Sequence, residues 1–281
     1  MTKICGVEIS SPDKIIFPKQ NITKLDIVNY YKTVYVKMKP FLTERPVSAI
    51  RCHGKYNGEK FFKKHPIDTE NVEKIYFGAK KPQNLYFYLN SKTQLINQVQ
   101  LDTFEFHLWG ANVKNISHPD IMVFDLDPDE KLSLKTLRQG VKHLKNILDE
   151  LNLKSFLKTS GGKGYHIYVP FKNVKSFNAL SKFSKQIATL MEQKYPNLYT
   201  TNMLKSTRKN KIFIDYLRNK QGATCVAPYS LRMRDEATVS MPISWSELDS
   251  VKPNQFNINS AIKRLNNNPW KNFFKVNQSL N

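Results

Sequence analysis

Two aspartates one residue apart close an apolar run in Ile121-Met-Val-Phe-Asp125-Leu-Asp127-Pro128. In an extended strand, residues two apart share a face with their Cα atoms about 6.6 Å apart, so both carboxylates project from the same side. Their mutual repulsion is relieved if a divalent cation sits between them, and Pro128 ends the strand where such a site would open. The plainer reading is a pair of solvated turn acids, since Asp before Pro is ordinary turn chemistry.

A glycine-rich turn follows in Ser160-Gly161-Gly162-Lys163-Gly164-Tyr165-His166. Glycines between two strands let backbone N–H groups approach an anion closely, and Lys163 adds a point charge suited to phosphate. This is not a Walker A loop, because Leu157 and Gly164 stand where that spacing requires a glycine and a hydroxyl residue. A tight hairpin with His166 on an edge strand fits the same residues. The third feature is Lys211-Ile-Phe-Ile-Asp215-Tyr-Leu-Arg218, in which Asp215 sits mid-strand with Phe213 and Leu217 on its own face. A carboxylate so placed is costly unless it is paired or bound to metal. Lys205, Arg208, Lys209, Lys211, Arg218 and Lys220 surround that single acid with bases, so an Asp–Arg pair satisfies it as well as a metal does.

The elements that must position these groups follow from the hydrophobic period. The spacing predicts a helix over 24–39, capped by Thr23 with Asp26 three residues on and stopped by Pro40. Strands are expected at 47–52, 59–62 and 85–89, with a long polar and basic loop over 63–84 between the last two; loops of that length are usually functional or mobile. Ser91 and Gln94 signal a short helix. Phe104, Phe106 and Leu108 alternate with Glu105, His107 and Trp109, which puts His107 opposite the phenylalanines. Strand 120–127, a helix from Ser133, strand 155–159, the glycine turn, strand 165–170 and a helix from Ser176 complete an α/β sandwich with a mixed sheet. A strand over 211–217 and a short helix at Trp245 follow.

The charge balance narrows the chemistry. The 281 residues hold 44 Lys and Arg against 23 Asp and Glu, a net charge of +21, which points to a polyanionic partner. No apolar run reaches the ~20 residues of a spanning helix, and the first 13 residues lack a signal-peptide core, so no membrane partner and a cytoplasmic, nucleoid-associated location are expected. Cys5, Cys52 and Cys225 are odd in number and widely spaced, which reads as three reduced thiols. Cys52 with His53 and His65 matches no common zinc spacing. Three carboxylates for two divalent cations, a phosphate-cradling Lys and His turn and a basic surface suit nucleotidyl transfer on a nucleic-acid strand, in which one metal activates a 3′-hydroxyl and the other neutralises pyrophosphate.

The chain also resembles the archaeo-eukaryotic primase superfamily, most closely the polymerase module of bacterial ligase D and its stand-alone relatives in non-homologous end joining. Three motifs carry the resemblance in order: Phe124-Asp125-Leu-Asp127-Pro128, Thr159-Ser160-Gly-Gly-Lys163-Gly-Tyr-His166 and Phe213-Ile-Asp215. Flanking matches are Ser11-Pro-Asp-Lys14, Gly58-Glu-Lys-Phe61-Phe62 and Ala227-Pro-Tyr-Ser-Leu-Arg232-Met-Arg234. The resemblance implies an α/β (α+β) primase-polymerase catalytic core with a mixed, largely antiparallel sheet flanked by helices. It implies one domain over 1–281, with a DNA-end-binding part over the first hundred residues or so, a catalytic core over 101–250 and a basic tail over 251–281.

It further implies that Asp125, Asp127 and Asp215 are the catalytic metal ligands for two ions, manganese before magnesium. Ser160, Lys163, His166, Arg232 and Arg234 would hold an incoming ribo- or deoxyribonucleoside triphosphate, with His107 beside it. Phe61 and Phe62 would stack on the template side, Lys14 and Lys24 would grip the 5′-phosphate of a gap, and Arg208 would support primer engagement. The loops at 63–84 and 201–210 would handle DNA ends. The implied function is gap filling and end extension, with a ribonucleotide preference, in double-strand break repair. No Lys-x-Asp-Gly ligase motif is present, so the chain is expected to be either an isolated domain or a self-standing polymerase with a separate ligase, and a Ku-type protein is expected as a partner. Two other readings compete: a haloacid-dehalogenase-type phosphatase using Asp125 and Asp127, in which Asp215 has no role, and a non-catalytic DNA-end-binding protein, which leaves three acids unexplained.

Overall fold

The computed structural model describes residues 2–67 and 71–280. Four short strands open the chain as two hairpins, β1 (Thr2–Ile4) with β2 (Val7–Ile9) and β3 (Ile15–Phe17) with β4 (Ile22–Thr23). Helix α1 (Lys24–Leu42) then starts on a reciprocal capping box between Thr23 and Asp26. Its buried stripe includes Ile27, Val28, Tyr31, Val34 and Met38, and the hydroxyls of Tyr30 and Tyr31 donate to the carbonyls of Tyr229 at 2.7 Å and Phe104 at 2.6 Å. The helix does not stop at Pro40, as expected, but runs through it to Leu42. Proline removes one bond to the carbonyl four residues back, and that carbonyl belongs to Val36, which is 68% exposed and open to water. Burial of Phe41 and Leu42 favours the extra turn.

Strands β5 (Pro46–Cys52), β6 (Lys60–Lys63), β7 (Glu73–Tyr76), β8 (Leu85–Tyr88) and β9 (Thr103–Leu108) build most of one six-stranded sheet, with α2 (Lys92–Gln100) inserted on a Ser91 cap. The stretch expected to be a loop over 63–84 therefore contains a strand. Glu73 to Tyr76 pair with Leu85 to Tyr88 at the sheet edge, and a polar edge strand half in water shows no apolar run to betray it. Residues 68–70 of that stretch lie outside the described residues.

The second sheet carries the motifs. Its order is β13 (Tyr199–Thr200), β14 (Ile212–Asp215), β10 (Ile121–Pro128), β12 (Tyr165–Pro170), β11 (Phe156–Thr159) and β16 (Pro242–Ile243), antiparallel except for the first pair. The sheet is thus mixed and largely antiparallel, as expected. Helices α3 (Leu134–Glu150) and α4 (Phe177–Lys194), capped by Ser133 and Ser176, pack against β10. Met122, Phe124 and Leu126 of β10 alternate with Asp125 and Asp127, and none of the three has any exposed surface. Strand β15 (Cys225–Val226) returns to the first sheet beside β9 before the chain crosses to β16. Beyond the short α5 (Ile258–Lys263), Trp270 stacks on Phe273 and donates its indole N–H to the Leu157 carbonyl at 2.9 Å, which fastens the last segment to the second sheet.

Candidate active site

Register decides what the motifs become. Asp215 on β14 stands opposite Asp125 on β10, Asp125 opposite His166 on β12, and His166 opposite Lys158 on β11. Directly opposed residues share a face with Cβ atoms about 4.5–5.5 Å apart, so four polar side chains from four strands form one line across the sheet. Asp127 lies on the same face, opposite Phe213. Strand β14 ends at Asp215 rather than at 217, because the Asp215 carboxylate accepts the N–H of Leu217 at 2.9 Å and turns the chain. That turn supplies Arg218, which sequence reading placed only among the surrounding bases. Its Nε lies 3.0 Å from Asp215 Oδ2 and its Nη2 3.5 Å from Asp125 Oδ2. The local signal was available, since Arg218 follows Asp215 by three residues within one turn.

The charges on these groups follow from their neighbours. Burial opposes the charge on Asp125, but His166, Arg218 and Lys158 outweigh it and hold the carboxyl well below the usual range. Burial raises Asp127 and Asp215, and the Asp125 charge adds to both shifts. His166 Nε2 lies 3.3 Å from Asp125 Oδ1 and its Nδ1 3.2 Å from Cys225 Sγ. The Arg208 guanidinium lies over the Phe213 ring, 3.7 Å from its centroid, with Nη1 3.7 Å from Asp127 Oδ2. Hard carboxylate oxygens from adjacent strands fit magnesium or manganese in chemistry. However, no group of three acids or histidines is closed around one point among the described residues; Arg218 is the counter-ion that Asp125 and Asp215 share.

The glycine turn is held by its own first residue. Ser160 Oγ accepts the N–H groups of Gly162 at 3.0 Å and Gly164 at 3.2 Å. A side chain at Gly164 would put its Cβ 2.1 Å from the Leu126 carbonyl oxygen, so only glycine lets the turn close onto β10. Arg232 Nη1 donates to the Ser160 carbonyl at 2.6 Å, and the Arg234 guanidinium lies against Gly162. Lys163 is paired with Glu130 beside the turn. Sequence reading missed the group that ties this corner together, Glu105. Its Oε1 lies 2.8 Å from both His107 Nε2 and Arg232 Nε, and its Oε2 accepts the Met233 N–H at 2.8 Å. Burial pushes the Glu105 carboxyl up, but Arg232 and His107 overcome this and bring it down to about 2.

Further out, Phe61 and Phe62 on β6 remain 41% and 55% exposed, and the Phe62 ring centroid is 5.6 Å from that of His107. Lys14 and Lys24 converge on one carboxylate, Asp102, at 2.8 and 3.2 Å. Lys24 is buried and also donates to the Gln100 carbonyl at 2.6 Å, which leaves Lys14 the more accessible of the two. Cys5, Cys52 and Cys225 are free thiols.

Two opposed carboxylates beside a glycine-rich turn, on a mixed sheet backed by helices, are the arrangement expected of a primase-polymerase type of core. The chain belongs to the family described as LigD, primase-polymerase domain, which it matches over residues 23–270. It is 34% identical to the multifunctional non-homologous end joining protein LigD of Pseudomonas aeruginosa, over 98% of this chain and 34% of that protein. It is 31% identical to the bifunctional non-homologous end joining protein LigD of Bacillus subtilis, over 96% of this chain and 44% of that one. The chain therefore spans less than half the length of these relatives. A polymerase domain from Mycobacterium tuberculosis ligase D, solved in complex with DNA, superposes with a TM-score of 0.85 at 28% identity, covering 94% of this chain and 95% of that one. The family read from the three motifs is borne out. No helix among the described residues is long and apolar enough to cross a membrane.

Proposed function

We propose that this chain is a template-directed nucleotidyltransferase that fills gaps and extends DNA ends during non-homologous end joining. The observation that supports it best is the line Asp215, Asp125, His166 and Lys158 lying beside the Ser160–Gly164 turn. Asp125, Asp127 and Asp215 would hold two divalent cations, manganese before magnesium. The chemistry they would supply is activation of a 3′-hydroxyl and neutralisation of the leaving pyrophosphate. Ser160, whose oxygen already accepts two turn N–H groups, has its own proton left to donate to the nucleotide. His166, Lys163, Arg232 and Arg234 supply positive charge for the triphosphate, and Glu105 orients His107 and Arg232 toward it. Phe61 and Phe62 offer exposed rings for stacking on the template side. Lys14, seconded by Lys24, meets the 5′-phosphate across the gap, and Arg208 steadies the primer.

DNA with gapped or broken ends is the substrate, a ligase and a Ku-type end-binding protein are the partners, and the nucleoid is the place of action. A phosphatase reading finds less support, because Asp215 faces Asp125 across the ladder and that chemistry gives it no task. The test is labelled nucleotide on a gapped duplex with manganese, with and without a 5′-phosphate. Extension that Asp125→Ala or Asp127→Ala abolishes while DNA affinity holds supports the reading. Near-normal extension by either variant removes the metal assignment, and release of inorganic phosphate from a phosphomonoester without extension favours the phosphatase.

A further inference from the structure

Cys225 and Lys158 are buried beside His166, with 6% and no exposure, and the transfer reaction above assigns them nothing. Cys225 belongs to the other sheet. On β15 it pairs with Leu108 of β9, and its neighbour Val226 pairs with His107. From that strand it reaches across, placing Sγ 3.2 Å from His166 Nδ1, while the Val226 carbonyl accepts the Tyr168 hydroxyl at 3.2 Å. A strand of two residues thus bonds two same-face positions of β12, and it sits between the two histidines. The other ring nitrogen of His166 faces Asp125 at 3.3 Å. An imidazole tied at both nitrogens has no freedom left about its last torsion, and the bond at Nδ1 determines which nitrogen faces the acid.

Lys158 reinforces the arrangement. It stands in register beside His166, donates to Ser240 Oγ, lies over the Tyr168 ring and has no carboxylate within ion-pair distance among the described residues. Its charge favours electron density on the nearby sulfur, so Sγ is fitted to accept from Nδ1–H. Burial alone would raise the thiol, but His166 and Lys158 lower it to about 7.

We propose that Cys225 is a positioning residue which, through His166, clasps the sheet carrying His107 to the catalytic sheet and fixes the imidazole that the incoming triphosphate meets. This rests on the reading of His166 as a nucleotide contact.

The test compares Cys225→Val, which keeps the volume and removes the bond, with Cys225→Ser, which keeps a polar partner. On a gapped duplex, Cys225→Val should raise the nucleotide KM by about fivefold, the loss expected of one hydrogen bond, with kcat and DNA affinity within about twofold. Cys225→Ser should recover most of the KM. The 15N spectrum of the histidine side chains in the nucleotide-free protein gives an independent readout, in which the His166 Nδ1 signal moves in the Val variant and returns in the Ser variant. An unchanged KM in Cys225→Val, equal impairment of both variants, or a wild-type Nδ1 signal typical of an unbonded nitrogen overturns the proposal, the last even if the Val variant fails to fold. Wild-type protein that incorporates no nucleotide sinks the parent reading instead.

Discussion

Asp125 and Asp215 stand directly opposite each other on adjacent antiparallel strands, and one guanidinium spans them. Like charges at that spacing within a sheet are destabilising, so Arg218 does in the metal-free protein part of what a cation would do. Arg218→Gln should lower the metal-free melting temperature by about 2–4 °C, which for a chain of this size is about 1 kcal/mol. Manganese should then raise the melting temperature of the variant more than that of the wild type. Differential scanning fluorimetry across a metal titration checks this, and equal metal shifts in the two proteins would contradict the shared counter-ion role.

Asp102 sits between Lys14 and Lys24 and cancels one of their charges. Lys14→Ala should erase any preference for 5′-phosphorylated gaps with little change in stability, whereas Lys24→Ala, which empties a buried position, should cost stability as well. Asp102→Asn should tighten DNA binding and steepen its salt dependence by about one unit of slope. Binding isotherms on phosphorylated and hydroxyl gaps at several salt concentrations separate these outcomes.

A pH dependence follows from Glu105. Its folded-state value, about 2, lies below the ordinary value of 4.5, so the folded form binds a proton less readily than the unfolded one. That contribution to stability is present in full above the ordinary value and is lost as pH falls toward 2. Asp125, also shifted downward, acts with the same sign. The stability difference between wild type and Glu105→Gln, measured by denaturant titration, should shrink steadily from pH 6 to pH 3; a constant difference would mean that the charge is not what holds His107 and Arg232.

Ser160 holds the glycine turn, and in the proposed reaction it also meets the sugar. If its proton serves the 2′-hydroxyl of a bound ribonucleotide, Ser160→Ala should narrow the ribo-to-deoxyribonucleotide ratio by about tenfold, or about 1.4 kcal/mol, within the cost of one unsatisfied group. Because the same oxygen accepts two turn N–H groups, KM should also rise for both sugars. Competition between matched triphosphates on one gapped template reads both effects, and a fixed ratio with raised KM values would leave Ser160 only its part in the turn.

How much of this was legible in the sequence depended on distance along the chain. Asp125 and Asp127 announce themselves because a strand's two-residue period is local, and the caps Thr23, Ser91, Ser133 and Ser176 lie next to the helices they start. That Asp215, Asp125, His166 and Lys158 share one line was not readable, because register between strands is fixed by the fold. Asp102 binds a lysine 88 positions away and Glu105 a backbone N–H 128 positions away, so neither stands out from ordinary surface acids. The edge strand at Glu73–Tyr76 escaped for the opposite reason, being local but too polar to show a period.

The line from Lys158 to Asp215 has a further consequence for how the protein comes into being. Each of its four residues is donated by a different strand, and no stretch of chain shorter than 125–215 contains them all. During synthesis the emerging polypeptide can line up Asp125, His166 and Lys158 on β10, β12 and β11, but the line stays incomplete until β14 docks against β10. A polypeptide severed between β13 and β14 leaves Asp125 on one fragment and Asp215 on the other. Each piece should be silent, and their reunion should act as a two-input gate with no leak from either half.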